Sequence, residues 1–435
     1  MRTLNEVQVV VLMGGLGTRL KEFTQECPKS LVDVEGKPFF DYQLNLMRKW
    51  GFREFVFLIG YRAEMIEQYY GNGKKDGISI EYCYDGEKLL GTGGAVRRAL
   101  PHLKEDFLLM YGDSFMDINY EETVYRYFRG KTQGKRALMT VLKNNNLFDK
   151  SNVVVRDGEL LLYDKHHSVP EMDYIDFGVC MYERALFEDY AEDQPFDVAE
   201  IQNRLSLAGE MAAHIVTKRF YEIGSPTSLE EFRAYAKHRF MERHPAVFLD
   251  RDGVLNEIVF NEDTEQLDSP MNVGQFQLLK GVPEALRLFR EKGYYLFIVT
   301  NQPAAAKGKT SLANLYDINT YFAEQMKAAG AELDDIYMCP HYTKQLPMTK
   351  EDFLIQTCNC RKPNPGLLLK AKECYSIDWE HSYMIGDSYT DIEAGKKAGV
   401  KTIFLGDLKC DVCKRLRGNL PDYIVPDVYT AAGIV

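Results

Sequence analysis

The segment VQVVVLMGGLGTRL, residues 7–20, decides how the first half of this chain folds. It opens with a nearly continuous run of β-branched apolar residues, which predicts a buried strand over Val7–Leu12. The glycines that follow leave backbone N–H groups open to an anion, and the start of a following helix favours negative charge. Because the segment lacks both the G-K-[ST] ending of a Walker loop and the third glycine of a dinucleotide fingerprint, taken alone it also fits a generic tight turn.

Short β-rich apolar runs alternate with helical patterns along the whole chain, as is typical of parallel α/β architecture. We therefore predict the α/β class, with two doubly wound, Rossmann-like domains. Residues 152–163 predict a hairpin at Asp157-Gly158, so the first domain should carry additional mixed strands. The remaining predicted elements of this half are the strands Phe55–Ile59, Ile78–Tyr84, Phe107–Tyr111 and Tyr174–Met181 and the helix Ala63–Tyr70.

A charge-rich helical pattern divides the chain. It covers residues 228–244, which we interpret as a helical linker between a first domain at 1–227 and a second at 245–435. In the second domain, polar residues follow apolar strands, and the carboxyl ends of parallel strands are where such sheets bind ligands. The predicted elements there are the strands Ala246–Leu249, Tyr295–Thr300, Ile336–Met338, Ser382–Ile385 and Thr402–Leu405 and the helices Pro283–Lys292, Leu315–Ala329, Pro365–Cys374 and Asp391–Ala398.

The composition excludes several classes of protein. The 435 residues carry a net charge of -11 and a pI near 5.4, whereas a nucleic-acid or anionic-membrane partner would require a basic face. No apolar run approaches the roughly 18 residues of a membrane span, and the first residues are not those of a signal peptide. We therefore expect a cytoplasmic protein without nucleic-acid or membrane partners. Nothing in the sequence indicates an oligomeric state.

Three further motifs accompany the glycine loop. P-K at 28–29 brings a lysine close to Arg19, L-G-T-G-G-A at 90–95 adds a second glycine loop, and Y-G-D at 111–113 ends a predicted strand. The combination of G-G-x-G-T-R-L with P-K resembles the sugar-phosphate nucleotidyltransferases, and most of all their heptose 1-phosphate guanylyltransferase branch. The resemblance covers the first domain and implies the nucleotide-diphospho-sugar transferase fold.

The resemblance also implies a role for each matching residue. An oxygen of a sugar phosphate attacks the α-phosphorus of a nucleoside triphosphate and expels pyrophosphate, so cations must offset the negative charge that accumulates. Arg19 and Lys29 are the expected catalytic cations. Asp113 and Glu222 are the expected Mg²⁺ ligands, with glutamate where the family has aspartate. Lys29 and Asp176 are expected to contact the substrate, although a structural role suits Asp176 equally. The expected nucleotide-binding residues are Met13, Gly14, Gly15, Gly17, Thr18, Arg19, Gly91, Thr92 and Gly93.

A second set of motifs begins where the strand Ala246–Leu249 leads into D-R-D-G at 250–253. Aspartates two residues apart can serve as nucleophile and proton donor above one metal ion. T-N-Q at 300–302, R-K-P at 361–363 and G-D-S at 386–388 follow in order. This series resembles the haloacid dehalogenase-like phosphatases. The short distance between the first two motifs leaves little room for a cap, which implies a capless member.

In that family the matching residues imply covalent catalysis. Asp250 would attack phosphorus to give an aspartyl-phosphate, and Asp252 would protonate the leaving alcohol and then activate water. Thr300 would hydrogen-bond the phosphoryl group and Lys362 would neutralise its charge. Asp391 fits either a place beside the metal or an ordinary helix start. The expected Mg²⁺ ligands are Asp250, Asp252 and Asp387, and the expected substrate-binding residues are Asn256, Asn301, Gln302 and Arg361.

Cysteine and histidine cluster between these motifs, as C-P-H at 339–341 and C-N-C at 358–360. Three thiolates and an imidazole suit tetrahedral Zn²⁺ with no open position, so we predict a structural zinc that clasps the loop 342–357. The set resembles the heptose 1,7-bisphosphate phosphatases and their histidinol-phosphate relatives, many of which carry lysine where Ser388 stands. The expected zinc ligands are Cys339, His341, Cys358 and Cys360. We expect no disulfide framework and no metal at Cys410 and Cys413.

Together, the two resemblances predict a bifunctional enzyme of nucleotide-sugar synthesis. Its partners would be a nucleoside triphosphate and a phosphorylated sugar, with Mg²⁺ in both domains. GTP and heptose 1,7-bisphosphate are favoured. One alternative keeps both reactions with CTP or UTP and another sugar or polyol phosphate. Another makes the first domain a nucleotide-sensing or scaffold domain attached to an active phosphatase.

Overall fold

The computed structural model describes residues 3–15, 20–86, 88, 90–262, 265–407, 415–416 and 419–435. The chain divides into two compact units, Met1–Lys237 and His238–Val435. Both units are α/β, as the alternation of apolar strands and helices predicts. Among the described residues, no helix is long and apolar enough to cross a membrane.

A nine-stranded mixed sheet forms the first unit. Its parallel half has the spatial order Asp106–Tyr111, Gln8–Leu12, Glu54–Ile59 and Ser79–Tyr84. Tyr174–Glu183 pairs antiparallel with the first of these and begins the mixed half. The other strands of the mixed half are Ala137–Lys143, Val153–Arg156, Glu159–Tyr163 and Met211–Val216, the middle two being the predicted hairpin.

Helices cover both faces of this sheet. Val9 and Val11 of the first strand pack in one core with Phe40, whereas Val10 packs in the opposite core with Val96. Burial on both faces explains why the strand is an unbroken apolar run rather than an alternating one. The helices of this unit are Lys21–Thr24, Phe39–Trp50, Ala63–Tyr70, Gly91–Ala99, Tyr120–Lys131, Val198–Leu207 and Pro226–Phe240.

The helix Pro226–Phe240 covers most of the predicted linker 228–244. Its Phe232 side chain is fully buried and contacts Phe39, with ring centroids 4.6 Å apart. The first unit accordingly extends to Lys237 instead of ending at residue 227. The segment is rich in charge because only one face of the helix is buried. The apolar residues of that face pack against the first unit.

A six-stranded, fully parallel sheet forms the second unit. From the strand His244–Leu249 the chain first adds strands on one side and later on the other. Open α/β sheets bind ligands at such a reversal, outside the carboxyl ends of the strands. The strands in spatial order are Asp335–Cys339, Tyr295–Asn301, His244–Leu249, Ile377–Gly386, Lys401–Leu405 and Tyr423–Val425. The helices are Val282–Glu291, Leu312–Ala328, Gly366–Cys374, Tyr389–Ala398 and Val428–Ile434, and a separate hairpin pairs Val259–Asn261 with Gln266–Asp268.

One buried ionisable cluster lies inside the first unit. Glu122 Oε1 lies 3.3 Å from His214 Nε2 and accepts a hydrogen bond from Arg126 Nε at 2.8 Å. His214 Nδ1 lies 3.0 Å from the Thr123 hydroxyl. Burial alone would raise the pKa of Glu122, but His214 and Arg126 together lower it to about 2. The ionised form of Glu122 therefore stabilises the fold.

Replacing Glu122 with glutamine should change how the stability of the first unit depends on pH. A carboxyl with a lowered folded pKa stabilises the fold above its unfolded pKa, near 4.3, and loses that contribution as the pH falls towards about 2. Between about pH 6 and about pH 3, the free energy of unfolding should fall by about 2 kcal/mol more in the wild type than in Glu122→Gln.

Urea denaturation followed by tryptophan fluorescence measures this difference. The chain has two tryptophans, Trp50 and Trp379. A Trp379→Phe background therefore leaves a signal from the first unit alone. An identical pH dependence in both proteins would contradict the assignment of this charge to Glu122.

Candidate active sites

Several loops meet at the carboxyl edge of the parallel strands in the first unit. Because neighbouring strands run in the same direction, the residues that follow them lie side by side. The residues at these strand ends are Gly14, Gly15, Gly60, Asp85 and Asp113.

Lys29 contacts both carboxylates that were predicted to bind Mg²⁺ in the first unit. Pro28 is extended and precedes a short 3₁₀ turn, and the Lys29 ammonium lies 2.6 Å from Asp113 Oδ2 and 3.6 Å from Glu222 Oε1. Glu222 reaches this point because its short strand pairs with Ser114, directly after Asp113. The structure therefore brings together a cation and two carboxylates that are far apart in the sequence. The carboxylates could hold a metal ion beside the lysine.

The first glycine loop is described only in part. The Met13 N–H donates to the Leu58 carbonyl at 2.8 Å, which fixes the loop to the neighbouring strand. Gly15 is exposed at the sheet edge. The predicted nucleotide-binding residues Gly17, Thr18 and Arg19 lie outside the described residues, as do Cys410 and Cys413 of the second unit.

Asp85 is a candidate residue that the sequence motifs did not identify. It is 7% exposed, and a Cβ atom on Gly14 or Gly60 would lie 2.2 or 2.8 Å from its Oδ2 atom. The carboxylate therefore fills the space that two glycines leave open. Burial raises the pKa of Asp85, and Arg98 opposes the shift. No hydrogen bond joins its side chain to any described residue. Its position after a strand, like that of Asp113, is the signal that could have identified it.

The second glycine loop packs closely against a neighbouring turn. A Cβ atom on Gly93 would lie 2.2 Å from the Phe196 ring, and the Gly93 N–H donates to the Phe196 carbonyl at 3.0 Å. The Thr92 hydroxyl donates to Asp197 Oδ1 at 2.9 Å, and Lys165 Nζ donates to Oδ2 of the same carboxylate at 2.7 Å. Glycine at position 93 permits the close approach of Phe196. The sequence motifs did not indicate the neighbouring ion pair between Lys165 and Asp197.

Asp176 lies on the strand Tyr174–Glu183 and is partly buried. Its carboxylate accepts hydrogen bonds from the Gly178 N–H at 2.9 Å and from Gln202 Nε2 at 3.4 Å. Burial raises the pKa of Asp176 to about 6. These contacts fit a structural role, and substrate contact by Asp176 stays a prediction.

In the second unit, three carboxylates and one lysine converge at the carboxyl edge of the sheet. Carboxylate oxygens of Asp250, Asp387 and Asp391 all lie within 4.8 Å of one another, so the group could hold a metal ion. Lys362 is 2% exposed, and its Nζ atom lies 2.9 Å from Asp250 Oδ1 and 2.6 Å from Asp391 Oδ1. Asp391 therefore belongs to the site in addition to starting its helix.

Burial and mutual charge set the protonation of this group. Burial would lower the pKa of Lys362, but Asp250 and Asp391 raise it above the ordinary value. Burial raises the pKa of Asp387 to about 6, and the charge of Asp250 adds to the shift. Burial also raises the pKa of Asp391. The crowding of carboxylates favours a bound cation at this point.

Asp252 has different partners from Asp250. Its carboxylate accepts hydrogen bonds from Arg251 Nε at 3.2 Å, from Asn256 Nδ2 at 3.0 Å and from Gln302 Nε2. Burial would raise the pKa of Asp252, but the fully buried Arg251 guanidinium and these hydrogen bonds lower it. Asp252 is therefore held in its ionised form.

The predicted ligand set and the observed group of carboxylates differ at one position. The sequence grouped Asp252 with Asp250 and Asp387, whereas Asp391 is the third carboxylate of the group in the structure. The Asp252 carboxylate is instead bonded by Arg251, Asn256 and Gln302, and its role as a metal ligand stays a prediction.

The T-N-Q motif positions other groups of the site. Asn301 accepts a hydrogen bond from the Lys362 N–H and donates one to the Lys362 carbonyl, both at 3.0 Å, so it fixes the backbone of the lysine. Thr300 is 1% exposed, and its hydroxyl accepts a hydrogen bond from Gln302 Nε2 at 2.9 Å. Substrate contact by Asn256, Asn301 and Gln302 stays a prediction.

Three sulfur atoms and one imidazole meet near Arg361, which donates to the His341 carbonyl at 3.2 Å. The sulfur atoms lie 3.1 to 3.6 Å apart, and His341 Nδ1 lies 3.2 Å from Cys360 Sγ. Such separations exceed a disulfide bond and fit the ligands of one ion. The residues that could hold this ion are Cys339, His341, Cys358 and Cys360.

Comparison with known proteins finds a different family in each unit. The Nucleotidyl transferase family model matches residues 8–237, and the HAD-hydrolase-like model matches residues 359–431. The D-glycero-beta-D-manno-heptose-1,7-bisphosphate 7-phosphatase of Salmonella typhi is 36% identical over 158 residues, which are 36% of this chain and 78% of that protein. The Vibrio cholerae protein of the same name is 38% identical over 162 residues, 37% of this chain and 80% of that protein.

A solved structure of HddC from Yersinia pseudotuberculosis complexed with GMP-PN is 22% identical, with a TM-score of 0.43, and the match covers 53% of this chain and 99% of that chain. The family model for nucleotidyl transferases spans more than half of the present chain, and the phosphatase relatives are covered over most of their length. The chain therefore belongs to the nucleotidyl transferase family over residues 8–237 and to the HAD-like phosphatases in its C-terminal unit, which makes it a fusion of two enzymes.

Proposed function

We propose that this chain removes the 7-phosphate from heptose 1,7-bisphosphate and couples the resulting heptose 1-phosphate to GTP, with release of pyrophosphate. The observation that carries the proposal is that each unit places a lysine against two carboxylates at the carboxyl edge of its sheet. The relatives of the second unit are named as 7-phosphatases of a 1,7-bisphosphate. Such a reaction leaves a sugar 1-phosphate, which is the type of substrate that a nucleotidyltransferase activates.

In the second unit, Asp250 would act as the nucleophile. An oxygen of its carboxylate bonds to phosphorus, the bond between phosphorus and the sugar oxygen breaks, and Asp252 gives its proton to that oxygen. Asp252 then takes a proton from the water molecule that attacks the aspartyl-phosphate, which releases phosphate and restores Asp250. The Lys362 ammonium offsets the charge of the transferring group, and Thr300 donates a hydrogen bond to it.

The environment of Asp252 suits both of its tasks. Its lowered pKa favours the ionised form that acts as a base towards water. An approaching phosphate brings negative charge, which raises the pKa of Asp252 and favours the protonated form that acts as an acid. Asp250 and Asp387 would hold Mg²⁺, with Asp252 and Asp391 beside them, and the ion would supply positive charge between the nucleophile and the phosphate.

In the first unit, an oxygen of the sugar 1-phosphate attacks the α-phosphorus of GTP, and the bond to pyrophosphate breaks. Arg19 and Lys29 would offset the charge that accumulates on the phosphates. Asp113 and Glu222 would hold Mg²⁺, which supplies further positive charge beside them. The separation of 3.6 Å between Lys29 and Glu222 supports this set, because it shows that the longer side chain reaches the lysine that Asp113 contacts.

The ion at the cysteine and histidine cluster would be structural Zn²⁺. Three thiolates and one imidazole form a tetrahedral zinc set. All four ligands come from the protein, so the ion would have no open position for a substrate. It would close the loop 342–357 and thereby support Arg361, which contacts the His341 carbonyl.

Asp85 supports guanine as the base. A carboxylate repels phosphates, so beside the first glycine loop it suits the uncharged part of a nucleotide. Among the four common bases, guanine alone presents two adjacent N–H donors on its pairing edge, and an ionised carboxylate can accept both. No described residue donates a hydrogen bond to the Asp85 carboxylate.

Single substitutions should separate the two activities. With Mg²⁺, heptose 1,7-bisphosphate and GTP, the wild type should form GDP-heptose without a 7-phosphate, which mass spectrometry detects. Asp250→Asn should abolish phosphate release and retain nucleotidyl transfer to supplied heptose 1-phosphate. Lys29→Ala should do the reverse, so each variant is the control for the other.

The remaining outcomes have distinct meanings. Loss of both activities in a folded variant would rule out two separate sites. A product formed only with CTP or UTP would mean that both reactions occur but that the nucleotide is not GTP. Nucleotide binding without pyrophosphate release from any triphosphate would favour a sensing or scaffold domain.

Gly253→Ala should inactivate the phosphatase through Asp387. A Cβ atom at residue 253 would lie 2.2 Å from Asp387 Oδ2, so the carboxylate has to move. We expect phosphatase kcat/KM to fall on the order of 100-fold and the transferase to be unchanged. Gly281→Ala is the matched control, because Gly281 also has a φ of +81° but leaves space for a methyl group. Equal losses in both variants would attribute the effect to backbone strain.

Asp85→Asn should change which base is used. Asparagine presents one donor and one acceptor, so it loses a bond to guanine and can pair with xanthine, which has a carbonyl in place of the 2-amino group. The ratio of kcat/KM for xanthosine triphosphate to that for GTP should rise on the order of 10- to 100-fold, measured by pyrophosphate release. Asp193→Asn is the matched control, since Asp193 forms an ion pair at an exposed position with Arg98, whose charge also acts on Asp85. An equal loss with every nucleotide would place Asp85 at the ribose instead.

A further inference from the structure

Two histidines and a glutamate converge at the start of the second unit. His238 lies in the last turn of a helix, Glu242 in the connection that follows, and His244 opens the strand His244–Leu249. Asp250 follows the other end of that strand, so the cluster lies at the opposite edge of the sheet from the phosphatase site. One ligand atom from each of the three side chains lies within 4.8 Å of the other two. We infer that these residues form a binding site for Zn²⁺ or a similar transition-metal ion.

The distances fit ligands around an ion better than direct hydrogen bonds. Glu242 Oε2 lies 3.6 Å from His244 Nε2 and 3.8 Å from His238 Nδ1. Both separations are too long for hydrogen bonds. Zinc bonds of about 2.0–2.1 Å to imidazole nitrogen and carboxylate oxygen place neighbouring ligands about 3.3 Å apart in a tetrahedron. Small side-chain rotations are therefore enough to close the site around an ion.

His244 gives an independent indication of a ligand. Its Nε2 atom is buried and forms no hydrogen bond with any described residue. A nitrogen that is shielded from water without a partner costs free energy, and such buried polar atoms usually have one. A metal ion between His244 and Glu242 would supply that partner.

The two imidazole rings lie close together, with the ring centroids of His238 and His244 4.2 Å apart. Two protonated rings at this distance would repel each other. Two neutral rings and the Glu242 carboxylate instead present three donor atoms to one cation.

The protein holds both rings in place. They pack on Tyr295, whose ring centroid is 5.5 Å from that of His238 and 5.3 Å from that of His244. The Tyr295 hydroxyl donates to the His238 carbonyl at 2.9 Å, and the His244 N–H donates to the Ser376 carbonyl at 3.3 Å. The ligands are thus ordered by packing and backbone contacts that do not depend on the ion.

The donor set determines the class of ion and its effect. Imidazole selects transition ions such as Zn²⁺ over Mg²⁺, so the site differs in preference from the carboxylate groups of the active sites. Three protein ligands leave one position for water. Because the ligands come from a helix end, a connection and a strand start, the ion would tie residues 238–244 into a closed turn and stabilise it.

Metal analysis of the full chain tests the site. After equilibrium dialysis against micromolar Zn²⁺, we expect the wild type to contain one zinc ion more than His238→Ala. The cysteine and histidine cluster is intact in both proteins, so it cancels in the difference. His381→Ala is the matched control, because His381 also pairs with a carboxylate, that of Asp378 at 2.8 Å, without a second histidine. It should keep the wild-type zinc content.

Cobalt provides a second readout. Co²⁺ bound by nitrogen and oxygen absorbs visible light without the charge-transfer bands of thiolate ligation. The difference spectrum between wild type and His238→Ala should therefore lack thiolate bands, and Glu242→Gln should weaken this component while both rings remain. Equal zinc content in wild type and His238→Ala overturns the proposal, and so does a difference spectrum dominated by thiolate bands.

Discussion

A lysine held between two carboxylates is the interaction on which each site depends. The carboxylates of a set come from different segments, and without a cation beside them they would repel each other. The lysine contacts both carboxylates and offsets this repulsion. The two sets are Lys29 with Asp113 and Glu222, and Lys362 with Asp250 and Asp391.

The two sets differ in burial, and burial determines how much free energy is lost when one member of the set is removed. The side chain of Lys29 is 14% exposed, whereas that of Lys362 is 1% exposed. Removing one partner of a fully buried ion pair leaves an uncompensated charge, which is far more costly than the same loss near water. In the second site, Asn301 also holds the backbone of the buried lysine with two hydrogen bonds.

The general location of both sites could be predicted from the sequence, because it depends on local patterns. The predicted strand Ala246–Leu249 is the strand His244–Leu249 of the structure, and it leads into Asp250 as expected. Parallel strands share one edge, so residues that follow them meet there whatever their separation in the chain. The linker at 228–244 was less predictable, since a helix with one buried face and a solvated linker helix carry similar charge patterns.

Side-chain direction could not be predicted in the same way. The sequence explains Gly14 as part of a loop with free N–H groups. Gly14 also leaves room for the Asp85 side chain, and this contact depends on the relative positions of two strand ends that are distant in the sequence. Asp391 lies in the carboxylate group with Asp250 and Asp387, whereas the Asp252 carboxylate is bonded by Arg251, Asn256 and Gln302. Spacing along the chain contains no information on either contact.

The helix Pro226–Phe240 connects the two enzymes of the fusion and contacts residues of both units. Its Phe232 completes an aromatic cluster with Phe39, while Arg239 near its end lies over the Tyr375 ring at 4.1 Å and donates to the Cys374 carbonyl. One continuous segment therefore supplies buried side chains to both units, Phe232 to the first and Arg239 to the second. Genetic recombination that exchanged either enzyme for another would have to preserve this segment.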